Sequence, residues 1–185
     1  MKTFLRQLLL SGAVALMASA GPLLRAAPPV SGNGEALYVT IGTDDPLAFD
    51  RFRYGFATPK VNEDLIIPTL RAKAPDMAQA AHWSAPIVVL NEDTRPPAGQ
   101  PVLRLTWSDG GRVYAEYLAT PAAKAVELGV VSRDSLAYHP TPDAALNRVL
   151  SATSQDAKRD ENIRAHTEMQ LYLALDLVEK HLAGR

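Results

Sequence analysis

The chain has 185 residues, carries 19 basic and 20 acidic residues, and contains no cysteine. The lack of cysteine excludes disulfides, thiolate zinc sites, a cysteine nucleophile and a lipid-bearing cysteine anchor. No basic cluster stands out along the sequence, so the long-range attraction to phosphate that nucleic-acid binding requires is missing. We therefore expect no nucleic-acid partner.

Residues 1–20 have the layout of a cleaved secretory signal. Lys2 and Arg6 precede an apolar run, and Ala18-Ser19-Ala20 supplies small residues for signal peptidase. The apolar run is about ten residues long, well short of the roughly 20 that a membrane-spanning helix needs. We expect cleavage after Ala20, a periplasmic or secreted mature chain with 17 basic and 20 acidic residues, and no integral membrane segment after cleavage. An uncleaved anchor is the alternative.

Residues 21–36 form a leader that lacks the apolar content needed to pack, and we expect it to be disordered. Residues 37–185 are long enough for one domain with a sizeable core. Within them, the alternation of side chains predicts a strand over residues 37–41 and a second strand over residues 52–56.

The next elements are a helix and a buried strand. Residues 63–82 have helical composition, but Pro68 and Pro75 predict a kinked or two-piece helix. Residues 87–90 are an unbroken apolar run, which is typical of a strand covered on both faces, and this favours the centre of the sheet.

The stretch from Pro101 to Ala119 predicts a β-hairpin around Asp109-Gly110-Gly111, because glycine tolerates the backbone angles of a tight reversal. A three-residue loop keeps like residues opposite like residues. It pairs Leu103 with Tyr117, Leu105 with Ala115 and Trp107 with Val113 on an apolar face, and Arg104 with Glu116 and Thr106 with Tyr114 on the other face.

Three helices are predicted after the hairpin. Thr120-Pro121 and Thr141-Pro142 each combine an N-cap residue with a proline suited to the first helical position. The first pair predicts a helix that Gly129 ends, and the second predicts one that continues to about Leu150. The last helix is predicted from about Gln155 to Leu182.

The last helix carries two apolar rows. One row recurs at the spacing of a single helix face and is expected to pack on the sheet; its members are Leu171, Ala174, Leu175, Val178 and Leu182. Met169, Leu173 and Leu177 form a second row, which we interpret as an interface for an envelope protein or for self-association. The alternative is that the two preceding helices cover this row.

Together these elements predict an α+β fold: a mostly antiparallel sheet of about four or five strands, with helices packed on one face and a long C-terminal helix. Loops of ordinary length connect the elements.

Residues suited to chemistry are scattered. Asp44 and Asp45 follow the first strand, where adjacent carboxylates can share a proton or hold a cation, although Asp-Asp-Pro is also ordinary turn chemistry. Arg104 and Tyr114 on the polar face of the hairpin are candidates for a ligand platform, and His139 is a candidate loop histidine. We find no complete set of catalytic residues, no metal site and no sign of a cofactor.

The leading hypothesis is an exported, non-enzymatic binding module of the bacterial cell envelope. The rival hypothesis is a secreted hydrolase or small-ligand enzyme with a site assembled from Asp44, Asp45, His82 or His139. A third hypothesis is a cation-binding envelope domain that uses Asp44 and Asp45.

Overall fold

A computed structural model of the chain describes residues 35–43, 62–107, 112–131 and 135–184. The predicted signal, nearly all of the leader, the predicted strand at 52–56, and both Asp44 and Asp45 lie outside the described residues.

The described residues form a five-stranded sheet in the order β2-β1-β3-β4-β5. The strands are β1 (Leu37–Thr43), β2 (Ile87–Val89), β3 (Val102–Trp107), β4 (Val113–Leu118) and β5 (Val126–Val131). β1 runs parallel to both of its neighbours, whereas β4 runs antiparallel to both β3 and β5. The α+β class is confirmed, but the sheet is mixed, and the expectation of a mostly antiparallel sheet is wrong.

The helical elements are a π-helical turn (Asn62–Ile66), α1 (Ile67–Ala80), a 3₁₀ turn (Leu136–Tyr138), α2 (Pro142–Ser151) and α3 (Gln155–Ala183). α1 lies between β1 and β2 in the sequence, and a helical crossover of this kind allows the two strands to run parallel. Pro68 lies in the first turn of α1, where its missing N–H is not needed, while Pro75 lies inside the helix. The predicted kinked or two-piece helix is thus one continuous helical stretch, which changes from π to α geometry just before Pro68.

The core lies between α1, α3 and one face of the sheet. Leu171, Ala174, Leu175 and Val178 of α3 are fully buried there, as predicted for the first apolar row. They share the core with residues of β1, β3 and β4, including Leu37, Val39, Leu103, Leu105 and Ala115. The hairpin register is the predicted one at all five pairs.

The apolar run at residues 87–90 is not the centre of the sheet. β2 is an edge strand, and Val88 is 37% exposed. Its neighbours Ile87 and Val89 face the helices, because they pair with Leu37 and Val39 of the core face. The run is apolar because α1 covers one face of the strand, and burial on both faces is not required.

The helix predicted between Thr120 and Gly129 is absent. Residues 121–123 form a turn, and Val126–Val131 form β5, which pairs with β4 with a register shift between Ala115 and Glu116. Gly129 adopts a φ of +144° within the strand, a conformation that favours glycine. The Thr-Pro pair therefore begins a turn, and the β-branched residues that follow it complete the sheet.

Candidate functional site

His139 lies between the 3₁₀ turn and α2, and it is buried. The Ser135 hydroxyl caps the 3₁₀ turn by accepting a hydrogen bond from the backbone N–H of Ala137 at 3.1 Å. The turn and the following Pro140 then place the imidazole beneath the first turn of α2. The local sequence thus directs a histidine into the protein interior.

Two hydrogen bonds define the state of the His139 ring. The backbone N–H of Thr141 donates to Nδ1 at 3.0 Å, and Nε2 lies 3.1 Å from Oε2 of Glu168. A backbone N–H can only donate, so Nδ1 must be the unprotonated nitrogen. Nε2 therefore carries the proton and donates a hydrogen bond to the Glu168 carboxylate, so the ring is in the neutral Nε2–H tautomer.

The same geometry changes the role expected for Thr141. Its side chain makes no N-cap hydrogen bond to α2, contrary to our expectation from the Thr-Pro pair. The hydroxyl instead lies 3.3 Å from Nδ1 of His139. Thr141 precedes the first residue of α2 as predicted, but its backbone N–H and its hydroxyl contact Nδ1 of His139 instead of capping the helix.

Glu168 lies in the middle of α3, and its side chain is almost fully buried. Oε1 accepts a hydrogen bond from Nη2 of Arg148 at 2.8 Å, while Oε2 accepts the one from His139. Burial opposes the charged form, but the hydrogen bonds from His139 and Arg148, together with the positive charges of Arg148 and Lys73, lower the pKa of Glu168 below its ordinary value of 4.5. The carboxylate is therefore charged at neutral pH.

Arg148 extends this network to the surface. Its Nε lies 3.6 Å from Glu161, which in turn accepts a hydrogen bond from Arg164 at 2.6 Å. The chain of contacts runs from α2 to α3 and joins two helices that only a short turn separates. It balances the buried carboxylate with a partly exposed guanidinium, as a buried charge requires.

An open cleft of about 440 Å³ lies above the network. Lys73, Asp76 and Gln79 from α1 form one wall, and Thr141 and Arg148 form part of the other. Lys73 and Asp76 lie 3.8 Å apart within this wall. The walls of the cleft therefore carry charges of both signs, and the buried His139 and Glu168 lie at its base.

The arrangement has little capacity for acid-base chemistry. A general base needs a free lone pair within hydrogen-bond reach of a substrate. In His139 one nitrogen accepts from Thr141 and the other donates to Glu168, and both carboxylate oxygens of Glu168 are also occupied. Each ring nitrogen of His139 and each carboxylate oxygen of Glu168 thus has a partner, and the network joins α2 to α3.

The other predicted site residues lie elsewhere. Arg104 and Tyr114 are on the sheet face opposite the core, where Nη1 of Arg104 lies 3.5 Å from Glu116, so the arginine already has a partner. His82 is exposed beyond the end of α1, with a φ of 57°. The structure does not bring these three residues together with His139 in the cleft.

The second apolar row of α3 is mostly inside the protein. Met169 is fully buried, and Leu173 and Leu177 are partly buried against the core. Leu177 also packs beside β5, since a Cβ at Gly129 would lie 3.8 Å from its Cδ1. The interface predicted for this row thus has at most two partly accessible side chains.

Across the described ranges, no group of three or more histidine, aspartate or glutamate side chains is placed to hold a metal ion. No helix in those ranges is long and apolar enough to cross a membrane. Asp44 and Asp45 are outside these ranges, so their candidate role stays a prediction.

Glu168, Arg148 and Lys73 were not among the predicted site residues. The sequence signal for Glu168 is weak, because this carboxylate follows polar residues and stands just before the apolar stretch that begins at Met169. A charged residue in such a position is rarely buried without a partner. Nothing in the sequence identifies Arg148 as that partner.

Comparison with protein families, curated proteins and solved structures finds no significant match to this chain.

Proposed function

We propose that the chain is an exported, non-enzymatic binding module of the bacterial cell envelope, which binds an envelope protein or a second copy of itself. Export is supported by the basic residues Lys2 and Arg6, the short apolar run and the small residues before position 21.

The observation that carries the binding role is a group of exposed apolar side chains at α2. Among the described residues, Leu150 and Tyr138 are the two most exposed large hydrophobic side chains, at 64% and 57%. Leu146 is also exposed and lies four residues before Leu150, so the two leucines share one face of the helix. We call Leu146 and Leu150 the α2 patch; Tyr138 is a further exposed apolar side chain, in the 3₁₀ turn before α2.

The α2 patch supports an interface because exposed apolar groups gain free energy when a partner removes them from water. It is also a better candidate than the second row of α3, where Met169 is inaccessible. The polar network beneath α2 holds this helix in place through His139 and Arg148. The proposed surface is thus carried by an anchored helix.

The saturated His139 ring weakens the rival hypothesis of a hydrolase or small-ligand enzyme. His139 lines the cleft beside α1, and both of its ring nitrogens already have partners. The cation-binding hypothesis depends on Asp44 and Asp45 and stays a separate proposal.

Crosslinking in intact cells tests the binding role. The tagged chain is crosslinked, recovered from the envelope fraction and compared with the double variant Leu146→Glu, Leu150→Glu. We expect a specific crosslinked partner, or a crosslinked dimer, that the double variant loses while its far-UV circular dichroism and Tm stay close to those of the native chain.

Leu177→Glu provides the contrast, because Leu177 packs partly inside the core. We expect it to lower the Tm, whereas the α2 variants alter exposed positions. Recovery of the uncrosslinked monomer alone from the native chain would contradict the binding role, and an unchanged crosslink in the double variant would remove the α2 patch as its surface.

A further inference from the structure

A second surface lies beside α1, along the edge of β2 that no other strand of the described residues covers. Here α1 and the segment leading into β2 enclose a hollow of about 540 Å³. Ala74, Ala78, Trp83, Pro86 and Ile87 give it mainly apolar walls. Arg71 is the one charged residue among the side chains that line it.

The hydrogen bonds of β2 show which backbone groups face this hollow. Leu37 donates its N–H to the carbonyl of Pro86, and Leu90 donates its N–H to the carbonyl of Val39. Residues of a strand alternate in the direction of their backbone groups, so residues 86, 88 and 90 point towards β1. The backbone N–H and carbonyl groups of Ile87 and Val89 therefore point outward, away from β1.

Arg71 confirms this direction independently. Its Nε and Nη2 both donate to the carbonyl of Val89 at 3.2 Å, and Nη2 also donates to Oδ1 of Asn91 at 2.6 Å. The outward edge thus retains the N–H and carbonyl of Ile87 and the N–H of Val89. These are the groups to which another extended chain would bond.

Arg71 also supplies a positive charge that can pair with a carboxylate of the ligand. No carboxylate of the described residues forms an ion pair with it, and both of its hydrogen-bond acceptors are neutral amide oxygens. Nη1 has no acceptor among the described residues, and its N–H groups can donate to one oxygen of a carboxylate. A cation without an acidic partner beside an apolar hollow favours a ligand that has both an apolar side chain and a carboxylate.

We propose that the β2 edge binds an extended peptide segment as an added strand, with an apolar side chain in the hollow against Ala78 and Trp83 and a carboxylate on Arg71. Main-chain hydrogen bonds to Ile87 and Val89 supply affinity, and the hollow and the arginine supply selectivity. This inference specifies a partner class for the proposed binding role at a surface separate from the α2 patch, so either surface can fail alone.

Selection from a library of short randomised peptides with free C-termini provides the probe. The library is selected on the purified chain and, in parallel, on Ile87→Pro, which removes an outward N–H and leaves the bonds to β1 in place. The peptide enriched on the native chain is then synthesised. We expect an apolar, acidic peptide that binds Arg71→Gln about ten-fold more weakly, as for loss of one charge-assisted contact.

Arg95→Gln is the matched control, since it removes an exposed arginine that does not line the hollow. We expect it to bind like the native chain. Amide hydrogen exchange then locates the peptide: the Ile87 and Val89 amides should slow on binding, while the Val88 amide, which already faces β1, should not change.

Three results would overturn the proposal. One is that no peptide is enriched on the native chain relative to Ile87→Pro. Another is a selected peptide that leaves exchange at Ile87 and Val89 unchanged, and the third is equal affinity for Arg71→Gln. The exchange measurement uses the native chain, so it remains decisive if Ile87→Pro is poorly folded. The crosslinking experiment tests the α2 patch independently, so its outcome does not depend on these three results.

Discussion

His139 and Glu168 are 29 residues apart in the sequence and are joined by a 3.1 Å hydrogen bond that fastens the start of α2 to the middle of α3. The bond lies in the interior, with both side chains almost fully shielded from solvent. It holds in place the helix that carries the exposed α2 patch. A polar pair that resembles catalytic machinery by residue type thus acts as a support.

Glu168→Gln should destabilise the fold. The substitution keeps the shape of the side chain but removes the charge that pairs with Arg148, and breaking a buried pair is costly. Because Arg148 is partly exposed and can regain water, we expect a loss of about 2–3 kcal/mol in the free energy of unfolding. Urea unfolding followed by circular dichroism measures it.

Glu161→Gln is the control, because Glu161 contacts the same arginine from a more exposed position. Its loss should stay below about 1 kcal/mol, as for surface ion pairs. Equal losses in the two variants would show that the buried pair contributes no more to the free energy of unfolding than the exposed pair.

The stability of the chain should fall in acid partly through Glu168. Its pKa is lower in the folded chain than the ordinary value of 4.5, so the unfolded chain binds the proton more tightly. The stabilisation is therefore complete above about pH 5.5 and is lost as the pH falls through 4.5 and the folded-state pKa. Urea unfolding at a series of pH values should give a steeper acid decline for the native chain than for Glu168→Gln.

Parallel pH profiles would contradict this assignment. The comparison with the variant is needed because other carboxylates titrate in the same window and contribute equally to both profiles.

Gln170→Met should stabilise the fold. Gln170 on α3 is fully buried, and neither atom of its amide group has a hydrogen-bond partner in the described structure. A buried amide without partners costs free energy that a thioether of similar size does not. We expect a gain of about 1 kcal/mol, measured as a higher midpoint of urea unfolding.

Gln155→Met tests whether the gain is specific to burial, since Gln155 is exposed at the start of α3. It should change stability by less than about 0.5 kcal/mol. A loss of stability in Gln170→Met would indicate that the amide has a partner, such as an ordered water.

Gly129→Ala should weaken β5. A Cβ at this position has room, with Leu177 at ordinary contact distance, but the φ of +144° is one that side chains rarely adopt. We expect a loss of about 1–3 kcal/mol from backbone strain. Gly42→Ala, in β1 and without a positive φ, should lose less. Thermal unfolding distinguishes them, and equal Tm values would argue against the strained geometry.

Local patterns predicted the hairpin, α2 and α3, because alternation and capping residues act over a few positions. Leu105 opposite Ala115 and Arg104 opposite Glu116 could be read directly from register. β5 could not, because Thr120-Pro121 fits a turn as well as a helix start. Residues 126–131 form a strand because they pair with β4.

The position of β2 and the buried network depend on contacts distant in sequence. An apolar run indicates burial but does not say whether a sheet neighbour or α1 provides it. Likewise, His139 and Glu168 meet only because α2 folds back against α3. The sequence singles out His139 alone, and its pairing with Glu168 depends on the tertiary fold.

The protonation of His139 tests the central claim most directly. Long-range ¹H–¹⁵N correlation spectra at neutral pH distinguish the two neutral tautomers of an imidazole. The account predicts a single Nε2–H tautomer for His139, with Nδ1 unprotonated, and no change on Asp143→Asn at the exposed start of α2. A protonated Nδ1 would be incompatible with the hydrogen bond from Thr141, and either this state or rapid exchange between tautomers would contradict the proposed role of the network as a support for the binding surface.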